Sequence, residues 1–131
     1  MNEKIVVKKR ERYMKWYCLV NELKPEHTGD YADIHENAHK TAWKTQLGAL
    51  KEAGAENCLV FMYKNYSILF YQCEDINESF TKLGTIEDNN RWQAHIASWF
   101  AGTPKFDGSA AVTGLKKIFD LNEQLEGRLE Q

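Results

Sequence analysis

The sequence lacks the features that mark membrane, nucleic-acid-binding and phosphate-binding proteins. No apolar run is long enough to span a bilayer. The basic N-terminal residues are not followed by the hydrophobic region and cleavage site of a secretory signal. The formal net charge is only −2, which gives no basic surface for nucleic acid. There is also no glycine-rich phosphate loop and no G-x-S-x-G motif. We therefore expect a cytoplasmic protein with no membrane or nucleic-acid partner.

Cysteine is scarce and odd in number. Cys18, Cys58 and Cys73 all lie in strand-like sequence, which predicts buried free thiols in a reducing compartment rather than a disulfide framework. With 131 residues the chain is long enough for one domain with its own core. We assign that domain to residues 14–121, with a flexible extension over 1–13 and a frayed polar tail over 122–131.

The hydrophobic pattern predicts an α+β protein with the element order strand, helix, strand, strand, helix, strand. A short helical segment, Glu78–Leu83, is expected between the third strand and the second main helix. The main elements are Met14–Leu23, Tyr31–Gly54, Asn57–Tyr63, Ser67–Cys73, Glu87–Ala101 and Leu115–Leu121.

Turn and cap residues set the predicted boundaries. Asp30 is the expected N-cap of the first helix, Gly54 its C-terminal stop, and Asn65 the left-handed residue of a β-hairpin.

The predicted order is that of the ferredoxin-like β-α-β-β-α-β fold, an antiparallel four-stranded sheet with both helices on one face. The opposite face of the sheet would be exposed and would carry Trp16, Phe61 or Phe70. Such an apolar patch predicts a homodimer formed through the sheets.

The predicted helix from Tyr31 to Gly54 carries an unusual row of side chains. Tyr31, His35, His39 and Trp43 follow at i, i+4 steps on its apolar side, and Gln46 falls in the same arc. Buried polar groups need partners, so this face is expected to border a cavity that holds something polar.

The two histidines of this row allow more than one interpretation. The run from His35 to His39 spells H-E-x-x-H, in which paired imidazoles on one helix face bind zinc. No third ligand is marked by a known signature, and two histidines four residues apart also arise by chance. A histidine on a mixed aromatic and polar face is otherwise a well-placed general acid or base, and for His39 this role stays open beside that of a core histidine bonded to backbone.

The remaining polar and aromatic candidates each have an ordinary structural interpretation. Tyr31, Trp43 and Trp92 belong to the core by default, but aromatic rings beside polar side chains also suit the C–H faces and hydroxyls of a sugar. Arg91 fits a surface position or a hydroxyl donor in the cavity. Cys58 is expected to behave as a small apolar residue, since no cationic neighbour lowers its pKa.

Several short motifs at fixed spacing resemble the L-rhamnose mutarotase family. They are the H-x-x-x-W run ending at Trp43, the A-G-x-x-N helix end over 53–57, the Arg91-Trp92 pair, the opening strand over 17–20 and the closing segment over 115–121. The resemblance covers residues 14–121. It implies a ferredoxin-like fold that dimerises as an α+β barrel, and a cofactor-free sugar 1-epimerase without a metal.

The resemblance assigns roles position by position. It places the proton-donating histidine at His39 and the first tryptophan of a substrate-contacting pair at Trp92. Three contacts differ, because His35 and Cys58 stand where the family has tyrosines and Gln93 stands where it has the second tryptophan. The expected substrate is thus a monosaccharide, L-rhamnose or a related 6-deoxysugar such as L-fucose.

The changed positions are given roles within the same hypothesis. His35 is a candidate second acid or base, and Gln93 and Arg91 are expected to bond sugar hydroxyls. Three alternatives stay open: a small α+β barrel monooxygenase, a ligand-binding module without catalysis, and the zinc site.

Overall fold

The computed structural model describes residues 14–102 and 114–127, and within them an antiparallel sheet packs against α-helices. Short 3₁₀ turns lie at Pro25–His27, Ala38–Lys40 and Ala97–Trp99. The strands are β1 (Lys15–Glu22), β2 (Asn57–Tyr63), β3 (Tyr66–Cys73) and β4 (Gly114–Leu115). The helices are α1 (Thr28–Glu36), α2 (Lys44–Glu52), α3 (Ile76–Leu83), α4 (Glu87–Ile96) and α5 (Leu121–Gly127).

The strands lie in the order β2-β3-β1-β4, and all neighbouring pairs are antiparallel. Three strands are long, and β4 contributes only two residues at the edge beside β1. The α+β class and the antiparallel sheet are therefore confirmed. The predicted closing strand over 115–121 is wrong beyond Leu115.

The chain after β4 turns into a helix because a local cap competes with strand pairing. The carboxylate of Asp120 accepts a hydrogen bond from the backbone N–H of Glu123 at 3.0 Å, an N-cap arrangement that starts α5. The tail that was predicted to fray is thus helical as far as Gly127. The predicted extension over 1–13 and most of the predicted loop over 102–114 lie outside the described residues.

The long helix predicted from Tyr31 to Gly54 is wrong, because it is interrupted after Glu36. A 3₁₀ turn covers Ala38–Lys40, and Thr41 is extended. The Thr41 hydroxyl accepts a hydrogen bond from the backbone N–H of Trp43 at 3.2 Å. Threonine offers the backbone such an alternative to the helix, so α2 begins only at Lys44. The row of i, i+4 side chains consequently does not continue past His35.

Helix α2 ends as predicted at Gly54, whose φ is +100°. The N–H of Gly54 donates to the carbonyl of Lys51, and the N–H of Ala55 donates to the carbonyl of Leu50, both at 3.0 Å. This is a Schellman motif, which requires a residue in the left-handed region and therefore favours glycine.

Two predicted boundary residues act differently from expectation. Asp30 is not the N-cap of α1. It lies in the first turn and contacts His27 Nδ1 at 3.0 Å. In the β2–β3 turn the left-handed residue is Lys64, with φ of 53°, and not Asn65. The Asn65 side chain instead donates to the carbonyl of Leu23 at 2.9 Å, which ties the hairpin to the end of β1.

The core lies between one face of the sheet and the helices. Tyr17, Leu19 and Tyr71 point from the sheet into this layer. The opposite face exposes alternate residues of β2, and Phe61 there packs edge-on against Phe70 with ring centroids 5.9 Å apart. The expected apolar outer face is therefore present. Among residues 14–102 and 114–127, no helix has the length and apolar character needed to cross a bilayer.

All three cysteines are free, but only Cys73 is buried. Cys18 and Cys58 are partly buried, so the prediction of three buried thiols was wrong in that respect. Cys18 alternates with the inward-facing Tyr17 and Leu19 along β1, which places it toward the outer face of the sheet.

Candidate active site

A cavity of about 380 Å³ lies between the inner face of the sheet and the helices. Strands β2 and β3 form one wall, and α1, α2, α3 and α4 contribute the others. Most of the lining side chains are apolar, and few polar groups reach them. Pockets for small organic ligands have this composition, with a limited number of polar groups that fix orientation. The polar and ionisable lining residues include His35, Glu36, Gln46, Cys58 and Gln93.

His35 is the imidazole of this cavity, and its orientation is fixed. Its Nδ1 lies 2.7 Å from the carbonyl oxygen of Tyr31, which can only accept, so Nδ1 carries the proton. The ring packs between Tyr31, at a centroid distance of 4.2 Å, and Trp92, at 5.0 Å. In the neutral ring Nε2 is therefore the unprotonated nitrogen.

Burial lowers the pKa of His35 below its ordinary value, against the opposing effect of the hydrogen bond to Tyr31. The imidazole is consequently neutral at pH 7 and available as a base.

Tyr31 and Trp92 support this imidazole from both sides. Both are buried, with 1% and 6% of their surface exposed. The Tyr31 hydroxyl is 2.8 Å from Ser67 Oγ, also 1% exposed, so α1 is tied to β3 beneath the cavity. The tyrosine contributes its ring to the cavity wall while its hydroxyl serves this internal bond.

Cys58 and Gln93 complete the predicted residues that the structure brings together. Burial raises the pKa of the Cys58 thiol to about 11, so it is protonated at neutral pH and is not a nucleophile. Gln93, one residue after Trp92, is half-buried at the cavity wall. The lining thus contains Tyr31, His35, Cys58, Trp92 and Gln93 from the predicted set.

The other predicted residues lie elsewhere. His39 is exposed in the 3₁₀ turn and is not part of the lining. Arg91 is exposed and pairs with Asp88 on its own helix. Trp43 is half-buried behind Trp92, in an edge-on contact with a centroid distance of 5.7 Å.

The interrupted helix also separates the two histidines of the H-E-x-x-H run. His35 belongs to α1 and His39 to the following turn, so they do not share one helix face. Within residues 14–102 and 114–127, no three His, Cys, Asp or Glu side chains are grouped to hold a metal ion.

Two buried polar pairs at the cavity were not predicted. Gln46 Nε2 donates to Asn89 Oδ1 at 2.9 Å, and the Tyr71 hydroxyl lies 2.6 Å from Ser79 Oγ. Burial raises the pKa of Tyr71 to about 12, so its phenol stays neutral. The only signal in the sequence was Gln46 in the apolar arc of its helix. Asn89 lies 43 residues beyond Gln46 and Ser79 eight residues beyond Tyr71, both on helices where polar residues look like ordinary surface positions.

The fold and the cavity together define a class: a small α+β protein with a cavity of small-ligand size between its sheet and helices, lined by one oriented imidazole. The chain belongs to the L-rhamnose mutarotase family, whose sequence profile matches residues 16–121. The predicted resemblance is thereby confirmed. A search of curated proteins found no match.

Two solved structures show the same fold. An L-rhamnose mutarotase from Formosa agariphila superposes with a TM-score of 0.54 at 17% identity, over 82% of this chain and 98% of that one. A putative antibiotic biosynthesis monooxygenase from Nitrosomonas europaea gives 0.56 at 11% identity, over 82% of this chain and 92% of that one. At these identities the likeness concerns the fold, so the activity has to be argued from the family and the site.

Proposed function

We propose that this protein is an aldose mutarotase that interconverts the α and β anomers of L-rhamnose or a related 6-deoxysugar such as L-fucose. This is a carbohydrate epimerase reaction that needs no cofactor. Family membership supports the reaction, and the single observation that carries the assignment of the site is the oriented imidazole of His35 in the cavity. The apolar walls suit the C–H faces of a pyranose, and in this proposal Trp92 stacks on one of them.

His35 is the proposed acid and base of ring opening. Neutral Nε2 takes the proton from the anomeric hydroxyl, the bond between C1 and the ring oxygen breaks, and the imidazolium returns the proton to that oxygen. Both oxygens are bonded to C1, so one imidazole can reach them in turn. Rotation about the C1–C2 bond and the reverse steps close the ring to the other anomer, with no net change in protons.

The lowered pKa of His35 suits both halves of this cycle. The neutral base is present at pH 7, and the imidazolium formed during turnover is a stronger acid than an ordinary histidine. His39, the proton donor that the family resemblance predicts, is exposed outside the lining, so in this proposal it is not the proton carrier.

The test compares two matched histidine variants. His35→Asn keeps a donor near Nδ1 for the Tyr31 carbonyl but removes Nε2, while His39→Asn makes the same change at the exposed position. Exchange between the α and β H1 signals of L-rhamnose, L-fucose and other aldoses is followed by NMR saturation transfer. We expect His35→Asn to lose enzyme-dependent exchange and His39→Asn to retain it.

Other outcomes separate the alternatives. Loss in His39→Asn alone would return the role to His39. Tight sugar binding by the wild-type protein without exchange would identify a binding module. Oxygen-dependent oxidation of a quinol, with no exchange of any sugar, would favour the monooxygenase.

The protein is further proposed to act as a homodimer formed through the outer face of the sheet. Leu59, Phe61 and Tyr63 of β2 are 39%, 54% and 61% exposed. Ile68 of β3 pairs with both Phe61 and Val20, and so links them to Val20 of β1, which is 49% exposed. Contiguous apolar surface of this kind marks an interaction site. Sedimentation velocity should give a dimer for the wild type and for Phe61→Tyr but a monomer for Phe61→Glu. A monomeric wild type would reject the proposal.

A further inference from the structure

Gln46 combines deep burial with an unused hydrogen-bond acceptor. The side chain lines the cavity and is only 4% exposed. Its Oε1 is buried and has no hydrogen-bond partner among residues 14–102 and 114–127. Buried polar atoms are almost always paired, and one that is not has an unfavourable desolvation energy.

The neighbouring Asn89 fixes which end of the Gln46 amide is unused. Asn89 Nδ2 donates to the backbone carbonyl of Leu83 at 3.1 Å, which directs its Oδ1 toward Gln46. That oxygen accepts from Gln46 Nε2 at 2.9 Å. Turning the Gln46 amide over would set two oxygens against each other, so the network leaves Oε1, an acceptor, as the unpaired group.

The surroundings determine what chemistry would satisfy this acceptor. The lining also includes Leu50, Leu83 and Phe80, whose side chains offer no donor. A ligand with a hydroxyl or N–H group on a largely apolar frame would supply one. Loss of a matched hydroxyl is the kind of change that a site with a buried polar group rejects strongly.

We propose that Gln46 Oε1 accepts a hydrogen bond from one hydroxyl group of the sugar, and that Gln46 thereby determines which sugars the cavity accepts. This inference rests on the proposed mutarotase function for the identity of the ligand. The residue lies outside the set that carries the acid–base chemistry, so it acts on selectivity rather than on the proton transfer.

The first experiment is independent of catalysis and uses phenol and toluene, which differ by one hydroxyl. Binding of each is titrated by ¹H–¹⁵N NMR shifts in the wild type, in Gln46→Leu and in Gln46→Met, with circular dichroism as the check of folding. Gln72→Leu, on β3 and outside the lining, is the matched control. We expect both Gln46 variants to reduce the preference for phenol over toluene about 10-fold, while the control leaves it unchanged. An unchanged preference in folded Gln46 variants would overturn the inference.

The second experiment uses the sugars themselves. The exchange rates of L-rhamnose and its single-deoxy analogues are compared in the wild type and in Gln46→Leu. In the wild type, one analogue should exchange about 10-fold more slowly than L-rhamnose. In Gln46→Leu the same analogue and L-rhamnose should exchange at equal rates, because the hydroxyl and its acceptor form one interaction. Equal losses for every analogue would contradict the assignment. If the wild type exchanges no sugar at all, the proposed function fails, and the phenol preference still decides the role of Gln46.

Discussion

The buried bond between Tyr31 and Ser67 makes the most quantitative prediction about stability. Both side chains are 1% exposed, and their oxygens are 2.8 Å apart. The pair joins helix α1, which carries His35, to the start of β3, an inner strand of the sheet. Removing either hydroxyl leaves the other buried without its partner. Removing both leaves no unpaired group, since phenylalanine and alanine are apolar.

The magnitudes follow from this asymmetry. Tyr31→Phe and Ser67→Ala should each lower the free energy of unfolding by about 1–3 kcal/mol, the cost of one buried unsatisfied polar group. The double variant should cost less than the sum of the two, with a coupling free energy of at least about 1 kcal/mol. Because Ser67 lies on a strand, its hydroxyl cannot donate to the carbonyl of a preceding helical turn, as the hydroxyl of a helical serine can. The loss of Tyr31 Oη is therefore not compensated in that way.

Urea denaturation of the four proteins at one pH measures the cycle. Tyr66→Phe is a suitable control, because Tyr66 is 39% exposed on the same strand, and its substitution should change stability by less than about 0.5 kcal/mol. Strictly additive costs for the two substitutions would show that the hydroxyls do not act as a pair and would refute the reasoning.

Two further predictions concern a glycine pair and the cavity histidine. Gly54→Ala should destabilise the protein by about 1–2 kcal/mol, because φ there is +100°, although a Cβ would meet no atom within 4 Å. Gly48→Ala, in the middle of α2 and equally free of contacts, should stabilise it by about 0.5–1 kcal/mol, so chemical denaturation should give opposite signs; equal signs would contradict the account. The pKa of His35 is lowered in the folded protein from 6.5, so the unfolded chain takes up the proton first as the pH falls. The contribution of His35 to stability is therefore complete above about pH 6.5 and declines below it, until the lowered folded pKa is passed. The pH dependence of unfolding between pH 7.5 and 5 should be shallower in His35→Asn than in the wild type. Identical slopes in the two proteins would exclude this role of burial.

The parts of the fold that were predictable are those in which local pattern and tertiary structure agree. The strand at Lys15–Glu22 and the hairpin arms show the alternation of apolar residues that one buried face requires. Gly54 ends α2 because the Schellman motif needs a left-handed residue. These signals are short-range, so a sequence alone carries them.

The parts that failed depend on competition between local and longer-range bonds. The apolar spacing from Tyr31 to Gly54 fits one helix. The Thr41 hydroxyl, however, accepts a hydrogen bond from the N–H of Trp43, and this local bond interrupts the helix. In the β2–β3 turn, asparagine adopts a left-handed conformation more readily than lysine, so Asn65 was a better candidate than Lys64. The side chain of Asn65 is instead engaged by the Leu23 carbonyl, and Lys64 adopts the positive φ.

The sequence by itself determined the α+β class, the family, and the kinds of residue from which a sugar site could be built. Only the tertiary structure decided which of them meet. The break after α1 leaves His35 in the cavity and His39 at the surface. Contacts between residues more than forty positions apart, such as the bond from Gln46 to Asn89, orient the acceptor Gln46 Oε1. The spacing of residues along the chain does not predict that orientation. Periodicity shows which side of an element is buried, but a site forms from elements distant in sequence, and their packing settles its geometry.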